Sequence, residues 1–386
     1  MIYADSNASS KPLPVVREYL NKRLSGDWFA NPNTVHELGS KVNGAMEKAR
    51  SRCAEILGAD SNQIILTSGA TESITTVFYS LSLEKNTIII SAIEHPAVHS
   101  MAKVFEKRGY NIEIVPVDEN GVTRVDVLKD ILERNQNDLA LVAIMAANNE
   151  TGVIQPIGKI SLLTQKFQVP LLSDTTQFIG KEQFNFRKSG IDYAVSSSHK
   201  FGSIIGSGLL IAKNPNTLYS LLPGANQEHG VRGGTQNYLG MECMAVALDY
   251  FDENSSNFKD IYKKKLKFEK EIKKRFPQVV IIGEKAPRLA GTTYISYPGI
   301  FAQAIQIELA SHDIFVSTSS ACSDAANLPE GLVAMGFDGA VARGAIRISL
   351  SIEQDPMIYD KILDVLSSVY IRLAKISSYH APTQEL

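Results

Sequence analysis

The stretch Val169-Pro170-Leu171-Leu172-Ser173-Asp174-Thr175-Thr176-Gln177, followed by Tyr193-Ala194-Val195-Ser196-Ser197-Ser198-His199-Lys200, decides the fold. Each half is a short apolar run that stops in a polar cluster, as a buried strand with an exposed end does. Working outward, the same pattern recurs. Ile64-Ile65-Leu66 runs into Thr67-Ser68-Gly69-Ala70-Thr71-Glu72, Thr87 to Ile90 into Ser91-Ala92-Ile93-Glu94-His95, and Leu139 to Met145 into Ala146-Ala147-Asn148-Asn149-Glu150. Ile112 to Val115 and Leu209-Leu210-Ile211 complete the strand-like set, and between the runs lie segments such as Val125 to Leu132, with Val125, Leu128, Ile131 and Leu132 at helical spacing. This alternation predicts an α/β fold with a mostly parallel seven-stranded sheet. Ligands of such sheets bind beyond the carboxyl ends of the strands, so the polar clusters converge on one crevice and imply a sizeable polar ligand.

The rhythm changes after Asp252-Glu253-Asn254-Ser255-Ser256-Asn257, with later strands expected at Val279 to Ile282, Thr292 to Ser296 and Ala345 to Leu350. The expected organisation is an N-terminal segment (residues 1–14) packing with a small domain, a large domain (15–255) and a smaller C-terminal α/β domain (256–386). Lys259 to Arg275 holds nine Lys/Arg interleaved with Leu266, Phe268 and Ile272, which reads as the solvated face of an amphipathic helix, with a docking face for a partner as the alternative.

Across 386 residues, 39 Lys+Arg against 41 Asp+Glu and 44 % hydrophobic residues describe an ordinary globular chain, with no basic excess to call for nucleic acid. The opening Met1-Ile2-Tyr3-Ala4-Asp5 is not a signal peptide, and the longest apolar run, Leu139 to Ala147, falls well short of the roughly 20 residues of a membrane span. Cys53, Cys243 and Cys322 are too far apart for a disulfide framework or a CxxC metal site, which suits the cytoplasm.

Ser68 to Glu72 lies between a strand and a helical pattern, where free N–H groups and the Thr71 hydroxyl can hold a phosphate. No GxGxxG is present, and Gly152 to Lys159 fails the P-loop pattern, so the phosphate need not belong to a nucleotide. Lys200, at a strand end and ahead of a glycine-rich run, can form a Schiff base with an aldehyde cofactor. Asp174, at another strand end, supplies the carboxylate that a pyridinium nitrogen needs, so cradle, lysine and aspartate together specify pyridoxal 5′-phosphate. His95 and His99 lack a third ligand at metal spacing, and no metal is expected. Cys322 lies in the polar loop Ser317 to Asp324, whereas Cys53 and Cys243 sit in helical patterns and read as structural.

These residues match a family. The chain resembles the cysteine desulfurases of the NifS/IscS type, fold-type I pyridoxal-phosphate enzymes, through Asn31-Pro32, Thr67 to Glu72, Ser91 to Val98, Asn148 to Ile157, Asp174 to Lys181, Ser197 to Lys200, Gln227 to Thr235, Ser320 to Ser323 and Ile346 to Leu350. It departs from the usual pattern at Asp5-Ser6-Asn7-Ala8-Ser9-Ser10, at Ser319 and at Pro223-Gly224-Ala225-Asn226.

The resemblance implies a fold-type I transferase in which Lys200 is the Schiff-base lysine, Asp174 meets the pyridinium nitrogen and His95 stacks on the ring. It places Gln177 and Asn149 near the phenolic oxygen and substrate, and Ala70, Thr71, Ser197 and His199 around the phosphate, joined by Thr235 from the other subunit of a homodimer. It gives the substrate carboxylate to Arg347 and Asn31, and makes Cys322 the nucleophile. The implied reaction converts L-cysteine to alanine: Lys200 takes the α-proton, Cys322 takes the sulfur as a persulfide, and His95 is a candidate proton carrier. A protein sulfur acceptor follows, serving iron–sulfur cluster assembly, tRNA thiolation or DNA sulfur modification. The competing readings are a selenocysteine lyase or aminotransferase, and a non-catalytic sulfur-transfer scaffold.

Overall fold

The computed structural model describes residues 1–81, 84–318 and 328–375. Cys322, with the rest of Ser320 to Ser323, and the polar C-terminus from Ser377 lie outside the described residues.

The chain opens with the two-residue strand β1 (Ile2–Tyr3). Seven strands then form the large sheet: β2 (Ile64–Thr67), β3 (Thr87–Ser91), β4 (Asn111–Val115), β5 (Leu139–Ala143), β6 (Leu171–Asp174), β7 (Tyr193–Ser197) and β8 (Gly208–Ala212). Their spatial order is β2-β8-β7-β6-β5-β3-β4, and only β8 runs antiparallel to its neighbours. The expected α/β fold with a mostly parallel seven-stranded sheet is therefore the observed one.

Alternation along the strands builds two cores. Ile64, Leu66, Ile89, Leu209 and Ile211 face one layer, packed by the helices Glu37–Leu57, Ile157–Lys166 and Tyr238–Asn254. Ile65, Ile88, Ile90 and Leu210 face the other, against Ala70–Tyr79 and Pro96–Glu106. Burial on both faces is what a near-continuous apolar strand predicts.

Most strand bounds shift by a residue or two from the sequence reading, and two of the shifts have a clear local cause. Leu139 to Met145 stops as a strand at Ala143, because the Met145 N–H donates instead to Glu94 Oε1. Val169 to Leu172 becomes Leu171–Asp174: Pro170 has no N–H for the ladder, and Asp174 itself pairs with Val195.

The second sheet contains β9 (Val280–Ile281), β10 (Thr292–Ser296), β12 (Ser317–Thr318) and β13 (Ala345–Ser349), in the antiparallel order β12-β13-β10-β9. β11 (Ile314–Phe315) pairs with β1, and Asp5 bridges to Ser349, so the first residues of the chain are stitched to this later sheet. A third apolar cluster joins Ile93, Val117 and Met145 to Ile282, Tyr294 and Leu332, seating one sheet against the other.

The basic helix Asn257–Arg275 is not solvated at every cation. Lys265 is fully buried and donates to the Leu289 carbonyl at 2.7 Å, while Glu269 pairs with Arg288 beside it.

Candidate active site

A cavity of about 340 Å³ opens at the carboxyl ends of β2, β5, β6 and β7. Its lining brings together Ala70, Thr71, His95, Asn149, Asp174, Gln177, Ser197, His199, Lys200 and Arg347.

The turn after β2 starts the helix Ala70–Tyr79 with no side-chain cap, and the Ala70 N–H donates to Ser197 Oγ at 2.8 Å. This leaves a helix N-terminus aimed at the cavity between Thr71, Ser197 and His199, a site that favours an anion. The turn can lie so close to β8 because both partners are glycines: a Cβ on Gly208 would stand 2.5 Å from the Gly69 Cα.

His95 caps the helix Pro96–Glu106, its Nδ1 accepting the Ala97 N–H at 3.1 Å. An amide can only donate, so the neutral imidazole carries its proton on Nε2. Burial pushes the His95 pKa down, with Lys200 adding to the fall and Asp174 opposing it. Glu94 ties the end of β3 to the residues after β5, accepting from Ser91 Oγ at 2.5 Å and Met145 N at 2.8 Å. Burial raises its pKa to about 8, so it is a neutral acid near pH 7.

Lys200 follows β7, and its Nζ donates to the carbonyls of Asn7 at 3.1 Å and Ala8 at 2.7 Å. Burial, reinforced by Arg347 and opposed by Asp174 and Asp5, lowers its pKa to about 8. An amine so poised is readily deprotonated and nucleophilic. Asp174 is buried, with Oδ1 accepting the Thr176 N–H at 2.9 Å. His199 bonds Ser9 through Nδ1, and burial beside Lys200 and Lys181 lowers its pKa to about 4.

The opposite wall comes from distant chain segments. Asn148 Oδ1 accepts the N–H groups of Glu150 and Thr151, shaping the loop that turns the Asn149 carbonyl inward. That carbonyl accepts from Arg347 Nη1 at 2.9 Å, and Arg347 Nη2 donates to Asp5 Oδ1 at 2.7 Å. Arg347 Nε and Thr176 Oγ1 are buried with no hydrogen-bond partner among the described residues, so polar capacity in the cavity wall is unspent. Burial raises Glu150, also at the cavity, to about 7, against the pull of Arg347.

Thr235 lies elsewhere, in a small hollow with Thr67, Ser68, Glu228, Arg232 and Gln236. Asn31 is exposed, and its Oδ1 accepts from Asn33, which in turn donates to Gln236. The pair thus share a neighbourhood outside this chain's cavity. Asp5, Asn7, Glu150, Thr176 and Lys181 have no individual role in the sequence reading, although all five stand inside the stretches Asp5 to Ser10, Asn148 to Ile157 and Asp174 to Lys181. The available signal was a lysine one helical turn after Gln177 in the otherwise apolar Phe178-Ile179-Gly180.

The Aminotransferase class-V profile matches residues 2–356. A cysteine desulfurase IscS of Dictyoglomus turgidum is 32 % identical over 384 residues, covering 98 % of this chain and 96 % of that one. A cysteine desulfurase of Sinorhizobium fredii is 34 % identical over 390 residues, covering 96 % and 97 %. Among solved structures, a NifS-like protein superposes with a TM-score of 0.88 at 33 % identity, covering 96 % of this chain and all of the other. A structure described as SspA in complex with cysteine gives 0.79 at 26 %, covering 92 % of this chain and all of the other. The chain belongs to the class-V aminotransferase family, among the cysteine desulfurases of the NifS/IscS type.

Proposed function

We propose that this desulfurase works with pyridoxal 5′-phosphate in the crevice above β2, β5, β6 and β7, takes L-cysteine, and receives its sulfur on Cys322. The observation that carries the reading is the placing of a half-buried lysine amine, lowered to about 8, in one cavity with Asp174, His95 and Arg347. The residues fit the cofactor: the uncapped helix N-terminus with Thr71, Ser197 and His199 suits a phosphate, Asp174 a protonated ring nitrogen, and Lys200 an aldehyde. When bound, the cofactor supplies an electron sink for charge developing at the substrate Cα.

Arg347, which lines the cavity, binds the substrate carboxylate, its guanidinium fixed by Asp5 and the Asn149 carbonyl. Lys200, held by the Asn7 and Ala8 carbonyls, takes the α-proton as a neutral amine. His95 presents its Nε2 proton to the cavity and serves as the proton carrier beside the sulfur. Cys53 and Cys243 are buried, which lifts their pKa values to about 12 and about 11, so neither supplies a thiolate near neutral pH. Cys322 follows the cavity-lining Thr318 by four residues, a reach of at most about 14 Å. Its thiolate attacks the substrate sulfur. The S–S bond forms as the C–S bond breaks, the bonding pair stays with carbon, and protonation there together with return of the α-proton from Lys200 leaves alanine and a Cys322 persulfide. A protein acceptor then takes the sulfur, in a reducing compartment such as the cytoplasm. None of the described helices is long and apolar enough to cross a membrane.

A homodimer completes the site in this reading. Trp28, Phe29, Val35, Ile205, Tyr219 and Leu222 leave apolar surface exposed, the first three on the segment that carries Asn31. A second copy covering that face brings Thr235 and Asn31 to the partner's crevice.

The test incubates the cofactor-loaded protein with L-cysteine and a thiol reductant, measuring alanine and sulfide for the wild type and Cys322→Ala. Equal yields from the wild type, lost in the variant with its colour retained, are expected. Alanine and sulfide from the variant at the wild-type rate would overturn the role of Cys322.

A further inference from the structure

Lys181 is buried beneath the cavity floor, outside every role given above. Its Nζ donates to Asn7 Oδ1 at 2.8 Å and to Gln177 Oε1. Both amides are oriented independently, because each spends an N–H on a backbone carbonyl, which can only accept. Gln177 Nε2 donates to Asn7 O at 3.0 Å, and Asn7 Nδ2 donates to Asn149 O at 3.2 Å as well as to Thr292 Oγ1 at 3.0 Å. The two amide oxygens therefore converge on one amine.

The consequences reach both walls of the site. Asn7 O receives Gln177 Nε2 and Lys200 Nζ, so the same residue that Lys181 holds by its side chain holds the lysine amine by its backbone. Asn149 O receives Asn7 Nδ2 and Arg347 Nη1, which links the network to the carboxylate-binding arginine. Gln177 keeps its second Nε2 hydrogen for the cavity that it lines. Charged groups facing Lys181 are Lys200 after β7 and Arg347 on β13, and with burial they push its pKa well down; Asp174 on β6 and Asp5 act on Lys200 from the same region. A neutral amine still has the two N–H donors that the two amide oxygens need.

We propose that Lys181 is a positioning residue that locks Asn7 and Gln177, so that Gln177 offers an N–H to the cofactor's ring oxygen and Asn7 offers its carbonyl to the free Lys200 amine. This rests on the reading of the crevice as a pyridoxal-phosphate site. Lys181 touches neither substrate nor cofactor and acts through the two amides.

The experiment compares the loaded wild type with Lys181→Met, which keeps the length and fills the buried space without a donor. It reads the cofactor's absorbance against pH and its dissociation constant. A colourless wild type after loading sinks the cofactor reading itself. With a coloured wild type, Lys181→Met is expected to move the absorbance midpoint by about half a pH unit or more and to weaken cofactor binding about tenfold. In a Gln177→Ala background the same substitution adds less to the weakening than it does alone, as coupled residues require. An unchanged midpoint and affinity, or fully additive effects, overturn the inference. Should Lys181→Met fail to fold, Lys181→Gln, which retains a donor, carries the same readings with a smaller expected shift.

Discussion

The two walls of the crevice are built by different means. On the large-sheet side, Thr71, His95, Asp174, Ser197 and Lys200 each stand at or just beyond a strand end, and most bonds that orient them are to near neighbours or adjacent strand ends: Ser197 by the Ala70 N–H, His95 by its own helix, Asp174 by Thr176. Lys200 is the exception, its amine held by the distant Asn7 and Ala8 carbonyls. On the opposite side, Asp5, Asn7, Asn149 and Arg347 meet from segments as far apart as the first and last β-strands. The first wall is imposed by sheet topology. The second exists only because β1 and β11 pair and Asp5 bridges to Ser349, fastening the N-terminal segment to the small sheet. The large-sheet wall thus rests mostly on local structure and the opposite wall on long-range closure, with Lys200 tied to both.

The largest effect that sharpens this contrast is at Lys200. Lys200→Ala should lower alanine formation by about 10^3-fold or more while leaving the melting temperature of the fold near that of the wild type. A variant that turns over at a tenth of the wild-type rate breaks the assignment.

Next comes the support of the first wall. Arg50 and Glu228 form a buried pair at 2.7 Å, and Glu228 also accepts the Leu66 N–H on β2. Glu228 and His229 both adopt positive φ, 47° and 57°, a left-handed pair of non-glycine residues that this anchoring sustains. Arg50→Met strands the carboxylate and should cost about 3–5 kcal/mol in denaturant unfolding. A loss below about 1 kcal/mol would show the pair to be dispensable.

A smaller and more selective effect belongs to the second wall. Arg347→Lys keeps the charge but loses the planar fork, so KM for cysteine should rise roughly tenfold or more with kcat changed far less. Equal falls in kcat and kcat/KM would mean that Arg347 acts in the chemical step instead.

The last effect is a slope. The folded pKa of Glu94 lies at about 8, above its ordinary value of 4.5, so its neutral form stabilises the fold fully below 4.5 and that contribution is lost as pH rises through 8. Stability of the wild type should fall relative to Glu94→Gln across this window, by at most about 1.4 kcal/mol per pH unit. Parallel stability curves for the two proteins would contradict a buried neutral Glu94.

This division also explains what was legible in the sequence. Strand runs ending in polar clusters are local signals, so Thr71, His95, Asp174, Ser197 and Lys200 could be placed at one crevice before any coordinates. Most strand bounds moved by a residue or two, and two of the shifts trace to a specific group, Pro170 at the start of β6 and Glu94 at the end of β5. Asn7 and Lys181 could not be read that way. Their importance comes from contacts such as Asn7 with Lys181 and Asn7 with Thr292, between residues with no shared periodicity or turn signal. Lys265 failed for the opposite reason: charge along a helix suggests solvent, and only the packed fold reveals the Leu289 carbonyl that receives its amine.

The most direct test of the account is to load the wild-type protein with pyridoxal 5′-phosphate, trap the cofactor–lysine linkage with borohydride, and locate it by peptide mass spectrometry. The label is expected on the peptide containing Lys200, and on that lysine alone. Stable labelling centred on any other lysine, or none in a folded protein, would contradict it.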